Sequence, residues 1–250
     1  MDGGSASVGS VSTARTPALI EVSGLGKRYG YQIAIDDISL SLDTGEILGI
    51  IGPNGAGKTT LLETLTGLVA ADAGDVRVRG QTVPVSARRR WMFYVPDGVR
   101  PYQEQFTYDV LTFFAAIYRR SRTEMRDIVE ALGLGPVVSK RVQALSKGYA
   151  RRLLLALGLL SPQPILLLDE PFDGLDLRQT REIAQLLRTK AGQGRALLLC
   201  IHQLSDAERV CDRFVLLSEG LIRGAGSLDE LRAKTGLPHA RLEDIFLALT

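Results

Sequence analysis

Gly52-Pro53-Asn54-Gly55-Ala56-Gly57-Lys58-Thr59 is the stretch on which the fold turns. It fits a phosphate-loop template of glycine, four residues, glycine, lysine and then serine or threonine. Each residue type answers a physical need. Glycines let successive backbone N–H groups turn toward one anion with no Cβ in the way, and a following helix adds its positive end. Lys58 supplies a mobile charge for the β and γ phosphates of a nucleotide, and the hydroxyl of Thr59, followed by Thr60, can ligate Mg²⁺. A glycine-rich turn could match by accident, but the setting argues otherwise. The apolar run Ile47 to Ile51 reads as a buried strand, and helical spacing begins at Lys58 and ends near Gly67. Strand, loop and helix in that order is the context the template requires.

A second constellation lies downstream. Ile165 to Leu168 reads as a buried strand that delivers Asp169 and Glu170 at its carboxyl end, where open α/β sheets place their ligands. Alone, an Asp-Glu pair before Pro171 would read as a solvated acidic turn. Beside a phosphate loop, Asp169 suits holding Mg²⁺ through water, and Glu170 suits the base that polarises an attacking water.

Outward from these two motifs, strands and helices alternate. Extended segments run from Leu19 to Leu25 and from Ala34 to Leu42; helices are expected from about Tyr149 to Leu160 and from Leu177 to Thr189, with a strand from Ala196 to Ile201. The sheet is therefore expected to be parallel at its centre. Residues Phe106 to Leu132 instead carry helical spacing, as an inserted helical lobe. Ser227 and Glu230 have capping-box spacing, and Leu242, Ile245, Phe246 and Leu249 make one apolar face, so two short terminal helices are expected.

The bulk numbers exclude several classes. With 250 residues, 45% apolar and 23% charged, the chain can bury a substantial core, and 30 basic against 28 acidic residues announce no polyanionic partner. Cys200 and Cys211 have neither metal nor redox spacing and read as buried thiols of a reducing compartment. The apolar stretch Leu153 to Leu168 is broken by Ser161-Pro162-Gln163-Pro164, so it is not one membrane-crossing helix. Met1 to Thr16, rich in Gly, Ser, Ala and Thr, reads as a disordered tail without a secretory signal.

From Leu19 to Thr250 these residues resemble the ATP-binding cassette (ABC) family. Leu145-Ser146-Lys147-Gly148-Tyr149 resembles its signature sequence, Gly174-Leu175-Asp176 the loop after the second acid, and His202 its switch histidine. Tyr29, in Lys27-Arg28-Tyr29-Gly30, resembles the aromatic that stacks on adenine; ordinary strand packing is the competing reading. The resemblance implies an α/β phosphate-loop NTPase core of RecA-like type with an antiparallel β subdomain and an inserted α-helical subdomain. In residues, it implies a tail at 1–17, core and β subdomain at 18–96 and 146–226, a helical subdomain at 97–145 and C-terminal helices at 227–250. It also implies that Ser146 and Gly148 of one chain cap the ATP on another chain's phosphate loop, giving a head-to-tail dimer, with Asp176 at the same interface and His202 on the γ phosphate.

Two departures stand out. The signature ends Lys147-Gly148-Tyr149 where most members have Gly-Gly-Gln, and Asp97 in Tyr94-Val95-Pro96-Asp97 stands where a glutamine is usual. Asp97 is a candidate Mg²⁺ ligand through water, with Gln103 or Gln105 as substitutes. These departures and Leu242-Glu243-Asp244-Ile245-Phe246-Leu247 resemble cassettes of ABC-2 type exporters. The implied protein is a cytoplasmic ATPase, peripheral on the inner face of the cell membrane, that drives an integral membrane permease on another chain. The aromatics Tyr102, Phe106, Tyr108, Phe113, Phe114 and Tyr118 of the lobe are candidates for that docking groove. A soluble cassette ATPase acting on ribosomes or nucleic acid is the alternative; the lack of a second cassette or a basic block argues against it. A non-hydrolysing nucleotide-binding regulator is a further one, and Glu170 with His202 argues against that.

Overall fold

A computed structural model describes residues 18–100 and 102–250. The expected tail at the amino terminus lies outside the described residues. In chain order the elements are β1 (Ile20–Tyr29), β2 (Gln32–Leu42), β3 (Ile47–Ile51), α1 (Lys58–Thr66), β4 (Ala73–Val78), β5 (Gln81–Thr82), α2 (Val85–Arg88) and β6 (Met92–Val95). There follow α3 (Thr107–Ile117), α4 (Arg122–Ala131), α5 (Lys147–Leu160), β7 (Ile165–Asp169), α6 (Leu177–Gly192) and β8 (Ala196–Ile201). The chain closes with α7 (Leu204–Val210), β9 (Arg213–Ser218), β10 (Leu221–Gly226), α8 (Leu228–Thr235) and α9 (Leu242–Leu249).

Two sheets form. One is antiparallel in the order β2-β1-β4-β5; the other runs β10-β9-β3-β8-β7-β6, parallel from β9 to β6 with β10 antiparallel at its edge. The all-apolar runs of β3, β7 and β8 follow from burial on both faces, which parallel sheets require. Their alternation divides the core. Ile47, Ile51, Leu166, Leu168, Leu197 and Leu199 join the cluster beneath α5, α6 and the helical lobe. Leu48, Ile50, Ile165, Leu167, Leu198 and Cys200 join the cluster of α1 and the antiparallel sheet. Truncating one such leucine to alanine costs about 2–5 kcal/mol.

Helix ends follow local chemistry. Ser121–Glu124 and Ser227–Glu230 close capping boxes on α4 and α8, and α9 packs Leu242 and Ile245 inward, as the spacing predicts. Helices α5 and α6 run longer than their apolar patterns, from the Ser146 cap and to Gly192, because polar first and last turns carry no periodic signal. The C-terminal carbonyls of α5 are taken by two arginines. Arg120 donates to Leu160 and Ser161 at 2.8 and 3.2 Å, and Arg195 to Gly158 and Leu159 at 2.9 and 3.3 Å. Cations there satisfy orphan acceptors and complement the helix dipole, while burial lowers Arg195 to about 10. Strands β6, β9 and β10 have no counterpart among the expected elements. Both cysteines are free and buried, and among the described residues no helix is long and apolar enough to cross a membrane.

Candidate nucleotide site

The site forms where β3, β7 and β8 end. The loop after β3 turns into α1 at Gly57, whose φ of 102° is open to glycine and strained for other residues. A Cβ there would also lie 2.4 Å from the Ala34 carbonyl, and one at Gly52 would lie 2.3 Å from the Leu217 carbonyl. Packing therefore demands these glycines, whatever the loop binds. Ala56 is buried beneath the loop, with its carbonyl accepting from Gly220 N–H at 3.1 Å. The buried Lys58 ammonium donates to the carbonyls of Gly52 and Pro53 at 2.7 and 3.1 Å.

At the end of β7, Asp169 is buried and its Oδ2 accepts from Thr59 Oγ1 at 3.0 Å and from the Tyr94 hydroxyl at 3.3 Å. Burial raises its carboxyl above the usual range, against the pull of those two hydrogen bonds. The Tyr94 phenol is pushed up as well, by burial first and then by the Asp169 charge. Glu170 sits at φ 49°, a left-handed conformation that a non-glycine residue adopts at a cost. Its Oε2 lies 2.5 Å from Nδ1 of His202, which follows the end of β8.

Two adjoining clefts, of about 490 and 420 Å³, share Asn54, Asp97 and Glu170. The first is completed by Gly52, Pro53, Asp173, His202, Leu204 and Phe246, the second by Tyr29, Gly55, Lys58, Thr59, Thr60 and Asp169. Tyr29 is half exposed at this rim, with Lys27 Nζ 5.5 Å from its ring centre, so strand packing does not consume it. The Asp97 carboxylate forms an ion pair with the buried guanidinium of Arg151. Neither Gln103 nor Gln105 lines either cleft.

The signature residues do not line these clefts. Leu145 is anchored in the core, and Ser146 caps α5 by accepting from Tyr149 N–H at 3.4 Å. A Cβ on Gly148 would approach the Gly174 carbonyl to 2.8 Å, so a small residue is needed where α5 meets the loop after Glu170. Lys147 Nζ pairs with Asp173 at 2.7 Å across the same junction, and Arg152 stacks over Tyr149 at 4.3 Å. Asp176 caps α6 through Gln179 N–H at 2.8 Å. Tyr94, Arg151, Asp173 and Phe246 are the neighbours that sequence reading missed. Nothing in the sequence of α5 separates buried Arg151 from its neighbours Lys147 and Arg152.

The ABC transporter family matches residues 35–173, more than half of the chain. The chain is 34% identical over 222 residues to the Nod factor export ATP-binding protein I of Ralstonia nicotianae, spanning 85% of this chain and 68% of that protein. It is also 34% identical over 226 residues to the daunorubicin resistance ATP-binding protein DrrA3 of Streptomyces coeruleorubidus, spanning 87% and 71%. A solved ATP-binding subunit of an ABC transporter superposes with a TM-score of 0.83 at 30% identity, over 92% of this chain and 99% of that one. The ADP conformation of another ATP-binding cassette shares the fold at 21% identity, with a TM-score of 0.76 over 93% and 99% of the two chains. By sequence and by fold, the chain belongs to the ABC transporter family, as an ATP-binding ATPase subunit.

Proposed function

We propose that this subunit powers an exporter by closing on ATP with a second copy of itself and opening after hydrolysis, while a separate integral membrane permease carries the cargo. The observation that carries the reading is the convergence of Lys58, Thr59, Asp169, Glu170 and His202 at the carboxyl ends of three adjacent parallel strands. The loop amides and Lys58 bind the β and γ phosphates, Lys58 exchanging its loop carbonyls for phosphate oxygens. Tyr29 offers an exposed ring face to adenine.

Glu170 accepts the proton of the attacking water and His202 holds that carboxylate in place, with the γ phosphate as its second neighbour. Mg²⁺ would fit the hard oxygen donors here: the Thr59 hydroxyl and the Asp169 carboxylate would hold it, the Asp97 carboxylate being engaged by Arg151, and it would neutralise phosphate charge. The Ser146 turn, which lines neither of its own chain's clefts, supplies its hydroxyl, N–H groups and helix dipole to the nucleotide of the second copy, with Asp176 at the same interface. Loss of the γ phosphate removes those contacts, and the dimer opens.

The helical lobe presents Tyr102, Phe106, Tyr108 and Phe113 at about half exposure, a socket for an apolar permease segment that holds the subunit at the inner face of the membrane. The named functions of the Nod factor export and daunorubicin resistance relatives favour export over import. Solution scattering of Glu170→Gln saturated with MgATP tests the core of the reading: the mass doubles if two chains share the nucleotides, and an unchanged monomer refutes it. Pull-down from detergent extracts tests the partner, recovering an integral membrane protein; ribosomal RNA in its place would point to the soluble alternative.

A further inference from the structure

The peptide unit joining Asp169 to Glu170 is held at both polar ends. Its N–H donates to the Cys200 carbonyl at 3.0 Å, and its C=O accepts from Arg151 Nη1 at 3.1 Å. This is also the peptide that enters the left-handed conformation of Glu170, so its plane sets where the Glu170 carboxylate points. Arg151 lies in the second turn of α5, 5% exposed, and its other terminal nitrogen, Nη2, donates to Asp97 Oδ1. Asp97 follows β6 on the way into the helical lobe and lines both nucleotide clefts. One buried guanidinium therefore touches the backbone of the acid pair and the junction to the lobe, from the helix that Ser146 caps. A planar fork can hold two fixed acceptors in this way, whereas an ammonium is a point charge on a flexible stem.

We propose that Arg151 is a positioning residue for hydrolysis: it fixes the Asp169–Glu170 peptide plane and, through Asp97, couples that plane to the helical lobe. It acts on turnover and leaves ATP affinity alone, since it touches none of the phosphate-loop groups. The proposal rests on Glu170 being the base.

The test compares kcat, KM for ATP and titrated ATP affinity for Arg151→Lys, Arg151→Gln, Asp97→Asn and the pair Arg151→Gln/Asp97→Asn. Misplacing a catalytic group by an ångström can cost on the order of 10²-fold. Arg151→Lys and Arg151→Gln should each lower kcat at least about tenfold, with KM and affinity within about threefold. The pair should lose little more than Arg151→Gln alone, because both variants break one link. An Arg151→Lys enzyme with wild-type kcat, a loss confined to KM, or multiplying losses in the pair would each overturn the proposal. So would failure of Arg151→Lys to fold, which would make Arg151 a purely structural residue. Glu170→Gln serves as the control: if it turns over normally the assignment of the base has failed, whatever Arg151 does.

Discussion

The phosphate loop and the signature turn both lead into helix N-termini, yet their surroundings differ. The loop before α1 is clamped by its own chain: Gly52 and Gly57 abut backbone carbonyls, Lys58 is buried, and Thr59 reaches Asp169 at the end of β7, beyond β8 in the sheet. The turn before α5 holds itself through Ser146 and Tyr149 and meets the loop carrying Asp173 and Gly174. The phosphate loop is finished by its own chain's core, whereas the signature turn leaves Ser146 and Lys147 exposed, as the proposed capping of a second chain's nucleotide would need. The Lys147–Asp173 pair is where the two regions meet, since Asp173 also lines the cleft of Glu170 and His202.

The sharpest way to separate the regions is Glu170→Ala. It should lower phosphate release by ~10²–10⁴ with ATP binding intact, and normal turnover would place the base elsewhere. Next, Lys58→Ala removes charge-assisted hydrogen bonds worth about 1.5–3 kcal/mol. Titration of a single chain should show ATP affinity lower by about 10–150-fold; unchanged affinity would detach the loop from the nucleotide. Ser146→Ala should do the reverse, leaving that affinity unchanged while costing about 1 kcal/mol of stability as a lost cap. In a Glu170→Gln background it should also prevent the doubling of mass with MgATP, and retention of the dimer would break the comparison.

The smallest effect belongs to Asp173→Asn. The Lys147 hydrogen bond holds the Asp173 carboxyl below its ordinary value, so the folded state prefers the ionised form. That stabilisation is present above the unfolded carboxylate pKa of about 3.9 and is lost as pH falls through the lower folded value. For a pair this exposed it amounts to at most about 1 kcal/mol. Melting temperatures of variant and parent should differ slightly at pH 7 and converge in strong acid; a gap that persisted there would assign the effect to packing.

Local order was legible where the pattern was dense. The runs Ile47–Ile51 and Ile165–Leu168 announce strands covered on both faces, and the glycine spacing before Lys58 announces the turn. Strand β6 was not, because four residues at an edge carry too little alternation to separate from loop. Nor were β9 and β10, which follow a short helix without a strong turn signal.

By itself the sequence determined the alternation of strands and helices around the two motifs and the kinds of group a phosphate needs, since both depend on neighbours along the chain. It determined Asp97 as a departure but not its partner. Only the tertiary structure decided that Asp97 meets Arg151, that Arg151 holds the peptide before Glu170, and that His202 contacts Glu170. Those pairings join residues far apart in the chain through the parallel register of β7 beside β8 and the packing of α5 against the lobe. Periodicity tells which face of an element is buried, but not which side chain of another element comes to rest against it.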